Sequence, residues 1–127
     1  MKIATWNVNS VNARIEHLVK FIKKDQSDIY LIQELKCINE SFPYQEIEKL
    51  GYISYVEGQK AWNGVAILSK KKLKILNRKL PTFNEDVQSR LLETEIKINK
   101  IKKPIKLFCI YLPNGNPIET EKFDYKI

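Results

Sequence analysis

Asn7 follows a short alternating segment, Lys2–Trp6, and Glu34 follows the apolar run Ile29-Tyr30-Leu31-Ile32, with Gln33 between. Both segments read as strands. If they are parallel neighbours, the amide and the carboxylate reach the same carboxyl edge of the sheet, where open α/β sheets place their ligands. An amide oxygen and a carboxylate suit a hard cation such as Mg²⁺, which takes few protein ligands and keeps several waters. A plainer reading makes Asn7 a turn residue and Glu34 a polar strand terminus. Spacing alone leaves both readings open.

Other residues narrow the chemistry further. Tyr111 ends the last strand-like segment, before a Pro/Asn/Gly loop. Its phenol can bond a phosphate oxygen or cap a strand in the core. Arg90 can grip a phosphate or pair with Glu85 or Asp86. His17 is the only histidine, between Glu16 and Leu18 on a helix face, so no Ser-His-Asp, Cys-His or His-based metal site can be assembled. No Gly-rich phosphate loop and no zinc-spaced cysteine pair is present. The basic clusters Lys70–Lys74 and Lys97–Lys106 either contact phosphates or are solvated turns.

The elements that must position these residues follow from the apolar pattern. Val11, Ile15, Leu18, Val19 and Ile22 share one helical face, on a helix that Asn9 or Ser10 can cap and that runs to about Lys24. The four apolar residues 29–32 suggest a strand buried on both faces. Strand, helix and buried strand make a βαβ unit. Residues 41–50 read as a second helix with Ser41 as cap, Pro43 in its first turn and Gly51 just past its end. Thereafter Tyr52–Val56, Val65–Ser69, Leu73–Leu80, Arg90–Ile98 and Ile105–Tyr111 have strand character. Lys70–Lys72 and Asn99–Pro104 are candidate turns between neighbouring strands. A loop covers 112–117, and Thr120 can cap a helix beginning at Glu121. The fold class is therefore α/β with a mixed sheet, in one domain spanning 1–127 that stops inside its last helix.

Composition bounds the partners. The net charge of +7 comes almost wholly from lysine and favours a polyanion, either nucleic acid or an anionic membrane surface. The 43% apolar and 29% charged content is that of an ordinary globular domain. The longest apolar run, Leu107–Leu112, is six residues, far short of the roughly 20 needed to span a bilayer. The first residues are too polar for a secretory signal, so a cytoplasmic location is expected. Cys37 and Cys109 are expected to be buried thiols.

Five segments together resemble the exodeoxyribonuclease III family. They are Ile3–Asn9, Asp28–Lys36 with its Gln-Glu-x-Lys ending, Gly58–Leu68 with Gln-Lys-x₃-Gly-Val-Ala, Gln88-Ser89-Arg90 before an acidic alternating strand, and Tyr111–Pro117. They occur in family order and are spread along almost the whole chain, from Ile3 to Pro117. The resemblance implies half of a four-layer α/β sandwich in which two sheets pack face to face. It implies a Mg²⁺-dependent phosphodiesterase, with Mn²⁺ able to substitute, acting on double-stranded DNA at abasic sites and 3′ ends in base excision repair. Asn7 and Glu34 match the family's metal positions and Tyr111 its active-site tyrosine. Arg90 and Asn114 become candidate substrate contacts.

One departure from the family pattern is large. The family's water-activating Asp in a Gly-Asp-x-Asn segment, a later Asp and a terminal Asp-His pair have no counterpart in these 127 residues. The expectation is a truncated or split enzyme, inactive alone, with a separately encoded C-terminal half as a candidate partner. A second expectation is that the first sheet, lacking its facing sheet, leaves an apolar face open through residues such as Ile3, Ala66, Leu68 and Ile110. The alternatives are a non-catalytic nucleic-acid-binding derivative of the fold and a phosphatase of the wider superfamily.

Overall fold

A computed structural model describes residues 1–59, 63–78, 91–97 and 103–111. Its elements are β1 (Ile3–Asn7), α1 (Ile15–Asp25), β2 (Ile29–Gln33), a 3₁₀ turn (Asn39–Ser41), α2 (Tyr44–Glu48), β3 (Ile53–Glu57), β4 (Val65–Ser69), β5 (Lys74–Asn77), β6 (Leu91–Ile96) and β7 (Ile105–Ile110). The βαβ unit forms as the apolar pattern requires, with β1 and β2 parallel and Asn7 in register with Gln33. Strands β1-β2-β4-β3 make one sheet and β5-β6-β7 a second.

Alternation divides the core into two layers. On β4, Ala66 and Leu68 face the helices and join Leu18, Ile22, Tyr30, Ile32 and Ile47. Val65 and Ile67 face the other way and meet Leu92, Ile96, Leu107 and Cys109 of the second sheet. A strand flanked on both faces must be apolar throughout, which is why β4 reads as a continuous run.

This arrangement corrects the expectation of an open inner face at β2 and β4, while Ile3 on β1 is exposed as expected. The three-stranded sheet β5–β7 belongs to the same chain and covers β2 and β4. Ala66 and Leu68 are fully buried on the helix side, whereas Ile3 and Ile110 are exposed. Lys70–Lys72 is likewise no hairpin turn between paired strands, because it carries the chain from one sheet to the other. The Asn99–Pro104 connection does join antiparallel neighbours, β6 and β7, although residues 98–102 lie outside the described set.

Helix α1 starts later than its candidate caps suggest. Ser10 takes the Ala13 N–H on its hydroxyl at 3.4 Å, but residues 11–14 form a turn and the helix begins at Ile15 without a side-chain cap. Ser41 ends the 3₁₀ turn and does not cap α2. His17 is exposed on α1, and both cysteines are buried and free. The loop at 112–117 and the helix from Glu121 lie outside the described residues. Among those that are described, no helix is long and apolar enough to cross a membrane.

The end of the sheet remote from Glu34 is tied by a polar network. Asp25 accepts from Lys2 Nζ at 2.8 Å, from the Ser27 hydroxyl and from Tyr30 at 3.0 Å. Lys2 first, then Ser27, holds the Asp25 carboxyl down from an ordinary 3.8 to about 2. A depressed folded-state value stabilises the fold above the unfolded carboxylate range, and that stabilisation is lost as pH falls through about 2. In Asp25→Asn the acid limb of a stability-versus-pH curve is expected to flatten between those limits. A limb of unchanged steepness in urea melts would remove Asp25 from the network's energetics.

Candidate active site

Parallel pairing of β1 and β2 continues beyond both strands. The Val8 N–H reaches the Gln33 carbonyl at 3.0 Å, Ser10 reaches Glu34 at 2.9 Å and Val11 reaches Leu35 at 3.0 Å. On the other side of β2, the Leu35 N–H donates to Gly64 at 3.1 Å and the Lys36 N–H to Asn63 at 2.9 Å. The segment that bears Glu34 is therefore clamped between the loop after β1 and the loop before β4.

Backbone strain concentrates in the same place. Of the five described non-glycine residues with positive φ, four are Asn9 (47°), Ser10 (83°), Glu34 (56°) and Lys36 (54°). Each left-handed residue costs roughly 1–2 kcal/mol, and such strain persists only where surrounding bonds over-determine it. The paired amides of residues 8, 10, 11, 35 and 36 supply that constraint.

The side chains converge across the two sheets. Tyr111, directly after β7, donates its hydroxyl to Glu34 Oε1 at 2.6 Å. A phenol bonded to a carboxylate at this distance is a charge-assisted bond that fixes the carboxylate's orientation. Asn7 Oδ1 accepts the Asn9 N–H at 3.1 Å, so its amide is fixed in an Asx turn. Lys36 Nζ donates to Asn9 Oδ1 at 2.6 Å. Gln33 links the layers beneath, donating to Thr5 at 2.9 Å and approaching Cys109 Sγ at 3.6 Å. Cys109 in turn lies against the Ile32 and Ala66 carbonyls. Burial pushes its thiol up to about 11, so it stays protonated and acts as packing, not as a nucleophile.

Two glycines hold the scaffold. A Cβ on Gly58 would collide with the Cys37 carbonyl oxygen, so only glycine lets that strand end pass the 37–39 loop. Gly64 has φ +106°, and its Cβ would lie 2.9 Å from Leu35 Cβ.

Of the candidate residues, Asn7, Glu34 and Tyr111 gather at one edge of the sandwich. Arg90 and Asn114 lie outside the described residues. Spacing makes Asn9 only a candidate helix cap and gives Lys36 no role; the signal that marks them is that both fall in motif segments immediately beyond a strand.

A two-sheet α/β sandwich with a carboxylate, an amide and a phenol at one edge defines a class, and comparison identifies it. The chain belongs to the endonuclease/exonuclease/phosphatase family, whose model matches residues 4–106. It is similar to exodeoxyribonuclease III of Haemophilus influenzae, with 40% identity over 97 residues, 76% of this chain and 36% of that protein. It also resembles two solved structures: a 3′ phosphatase from Neisseria bound to product DNA hairpin, with 32% identity and a TM-score of 0.88, and an AP endonuclease from Archaeoglobus fulgidus, with 33% identity and a TM-score of 0.86. Each match covers 99% of this chain, and 47% and 46% of those chains respectively. The chain thus spans at most about half the length of these relatives.

Proposed function

We propose that the chain carries the metal-holding and phosphate-orienting part of a Mg²⁺-dependent, cytoplasmic DNA phosphodiesterase of the exodeoxyribonuclease III type. Its substrate is duplex DNA with abasic sites or 3′ ends, and its place is base excision repair. One observation carries this reading: the 2.6 Å bond between Tyr111 and Glu34, which brings residues from separate sheets to one edge. A tyrosine that only capped its strand in the core would have no need of that carboxylate.

The donors fit a hard cation, being one carboxylate and one amide oxygen without thiol or imidazole. A set of only one carboxylate and one amide suits a hydrated Mg²⁺ or Mn²⁺, which takes few protein ligands. When bound, the ion offsets charge developing on the scissile phosphate and leaving oxygen. Glu34 and Asn7 would hold it. Tyr111 fixes the Glu34 carboxylate in the free protein and would turn its single hydroxyl proton to a phosphate oxygen when substrate binds. Arg90 and Asn114 supply further substrate contacts. The group that activates water comes from polypeptide outside residues 1–127, either a continuation of this chain or a separate half.

Ion binding is the test. Calorimetric or Mn²⁺ relaxation titration is expected to give about millimolar affinity for so sparse a ligand set. That binding should vanish in Glu34→Gln and survive in Tyr111→Phe. Equal binding by the Gln variant would take Glu34 out of the site.

A further inference from the structure

Most described lysines lie on the open surface or face a carboxylate or carbonyl, as Lys2 faces Asp25 and Lys106 faces Glu93. Lys36 differs. Its backbone N–H is held by Asn63, its φ is +54°, and its ammonium is bonded to the amide oxygen of Asn9 at 2.6 Å. That partner is neutral. Among the described residues Lys36 makes no ion pair, so within that set its charge is held in place without a counter-charge. An ammonium has three protons to donate, and Asn9 takes one.

The anchor also bears on the site. Asn9 donates its N–H to Asn7 Oδ1 at 3.1 Å while its side chain holds Lys36. Lys36, Asn9 and Asn7 therefore form one chain of bonds from the end of β2 to the end of β1. The positive charge stands two residues beyond Glu34, at the edge where Tyr111 arrives. The lysines of the Lys70–Lys72 turn sit at the opposite end of β4, where Ser69 pairs with Ile29 at the start of β2.

We propose that Lys36 is a phosphate-binding and positioning residue: it takes a backbone phosphate of the nucleic acid at the mouth of the site, and through Asn9 it sets the orientation of the Asn7 amide. This rests on the function proposed above, and the test separates the two. The ordering cost of a long side chain is already met by the Asn9 bond, so an incoming phosphate meets a charge that need not be gathered from solution.

The experiment measures binding of the whole chain to a fluorescent abasic duplex without added metal, at several salt concentrations. For each phosphate that the protein no longer neutralises, the slope of log affinity against log salt falls by about 0.9. Lys36→Gln is expected to show that fall, with the slope restored in Lys36→Arg. Asn9→Ala should keep the slope and weaken binding at every salt concentration, because the charge remains but is no longer held. Lys70→Gln, at the far end of the sheet, should keep both. An unchanged slope in Lys36→Gln, or an equal fall in Lys70→Gln, would overturn the assignment while leaving the nuclease reading intact. A wild-type chain that binds no DNA would sink that reading and the Lys36 assignment with it.

Discussion

Gly64→Ala is expected to lower stability by about 2–6 kcal/mol and to disturb the Glu34 segment at the same time. The residue's φ of +106° is a region that L side chains rarely adopt, and holding alanine there costs roughly 1–3 kcal/mol. The added methyl would also stand 2.9 Å from Leu35 Cβ and 3.3 Å from Cγ. Leu35 is completely buried, so it has little room to withdraw, and overpacking of that kind costs roughly another 1–3 kcal/mol. Relief by moving the backbone would break the bond from the Leu35 N–H to the Gly64 carbonyl, directly beside Glu34. Gly51 provides the control. It has φ +91° with nothing within 4 Å of a built Cβ, so Gly51→Ala should show the conformational cost without the clash. Urea denaturation of both variants measures the difference. Equal midpoints would mean that Leu35 is not packed against Gly64.

Much of this architecture is legible in the sequence because burial leaves a period. The run 29–32 announces a strand enclosed on both faces, and β2 is that strand. Residues of the apolar helical stripe do bury, with Val11, Leu18 and Ile22 in the helix-side core. What one sequence cannot carry is the partner of each face. An alternating strand looks the same whether its apolar side meets helices or another sheet, which is why β6 and β7 give no sign that they cover β2 and β4. A lysine turn likewise reads the same whether it closes a hairpin or, as at Lys70–Lys72, passes between sheets.

The site divides along similar lines. Asn7 and Glu34 stand out because polar residues interrupt apolar strands abruptly. The left-handed backbone at Glu34 and Lys36 leaves no trace, since neither is the glycine or asparagine that usually marks it. Asn9 does carry such a trace, but an asparagine before a helical stripe fits a cap equally well. Its side chain holds Lys36 instead. Gly58 and Gly64 are visible as letters of a motif, but the close approaches that demand them exist only once the 37–39 loop and Leu35 are in place.

Whether Glu34 and its neighbours serve phosphodiester hydrolysis is tested most directly by cleavage of an abasic duplex in Mg²⁺. The 127-residue chain should be assayed alone and mixed with a fragment comprising the C-terminal half of the H. influenzae exodeoxyribonuclease III. Alone, the chain is expected to be inactive, because general acid–base participation is worth about 10²–10⁴-fold and the family's water-activating segment lies outside these residues. The mixture is expected to cut. In the mixture, Glu34→Gln should reduce the rate by at least about 10²-fold, the scale of losing one group that offsets transition-state charge. Cleavage by the mixture that survives Glu34→Gln undiminished would contradict the assignment of the site. A well-folded chain that binds DNA but gains no activity from the C-terminal fragment would point instead to a nucleic-acid-binding derivative of the fold.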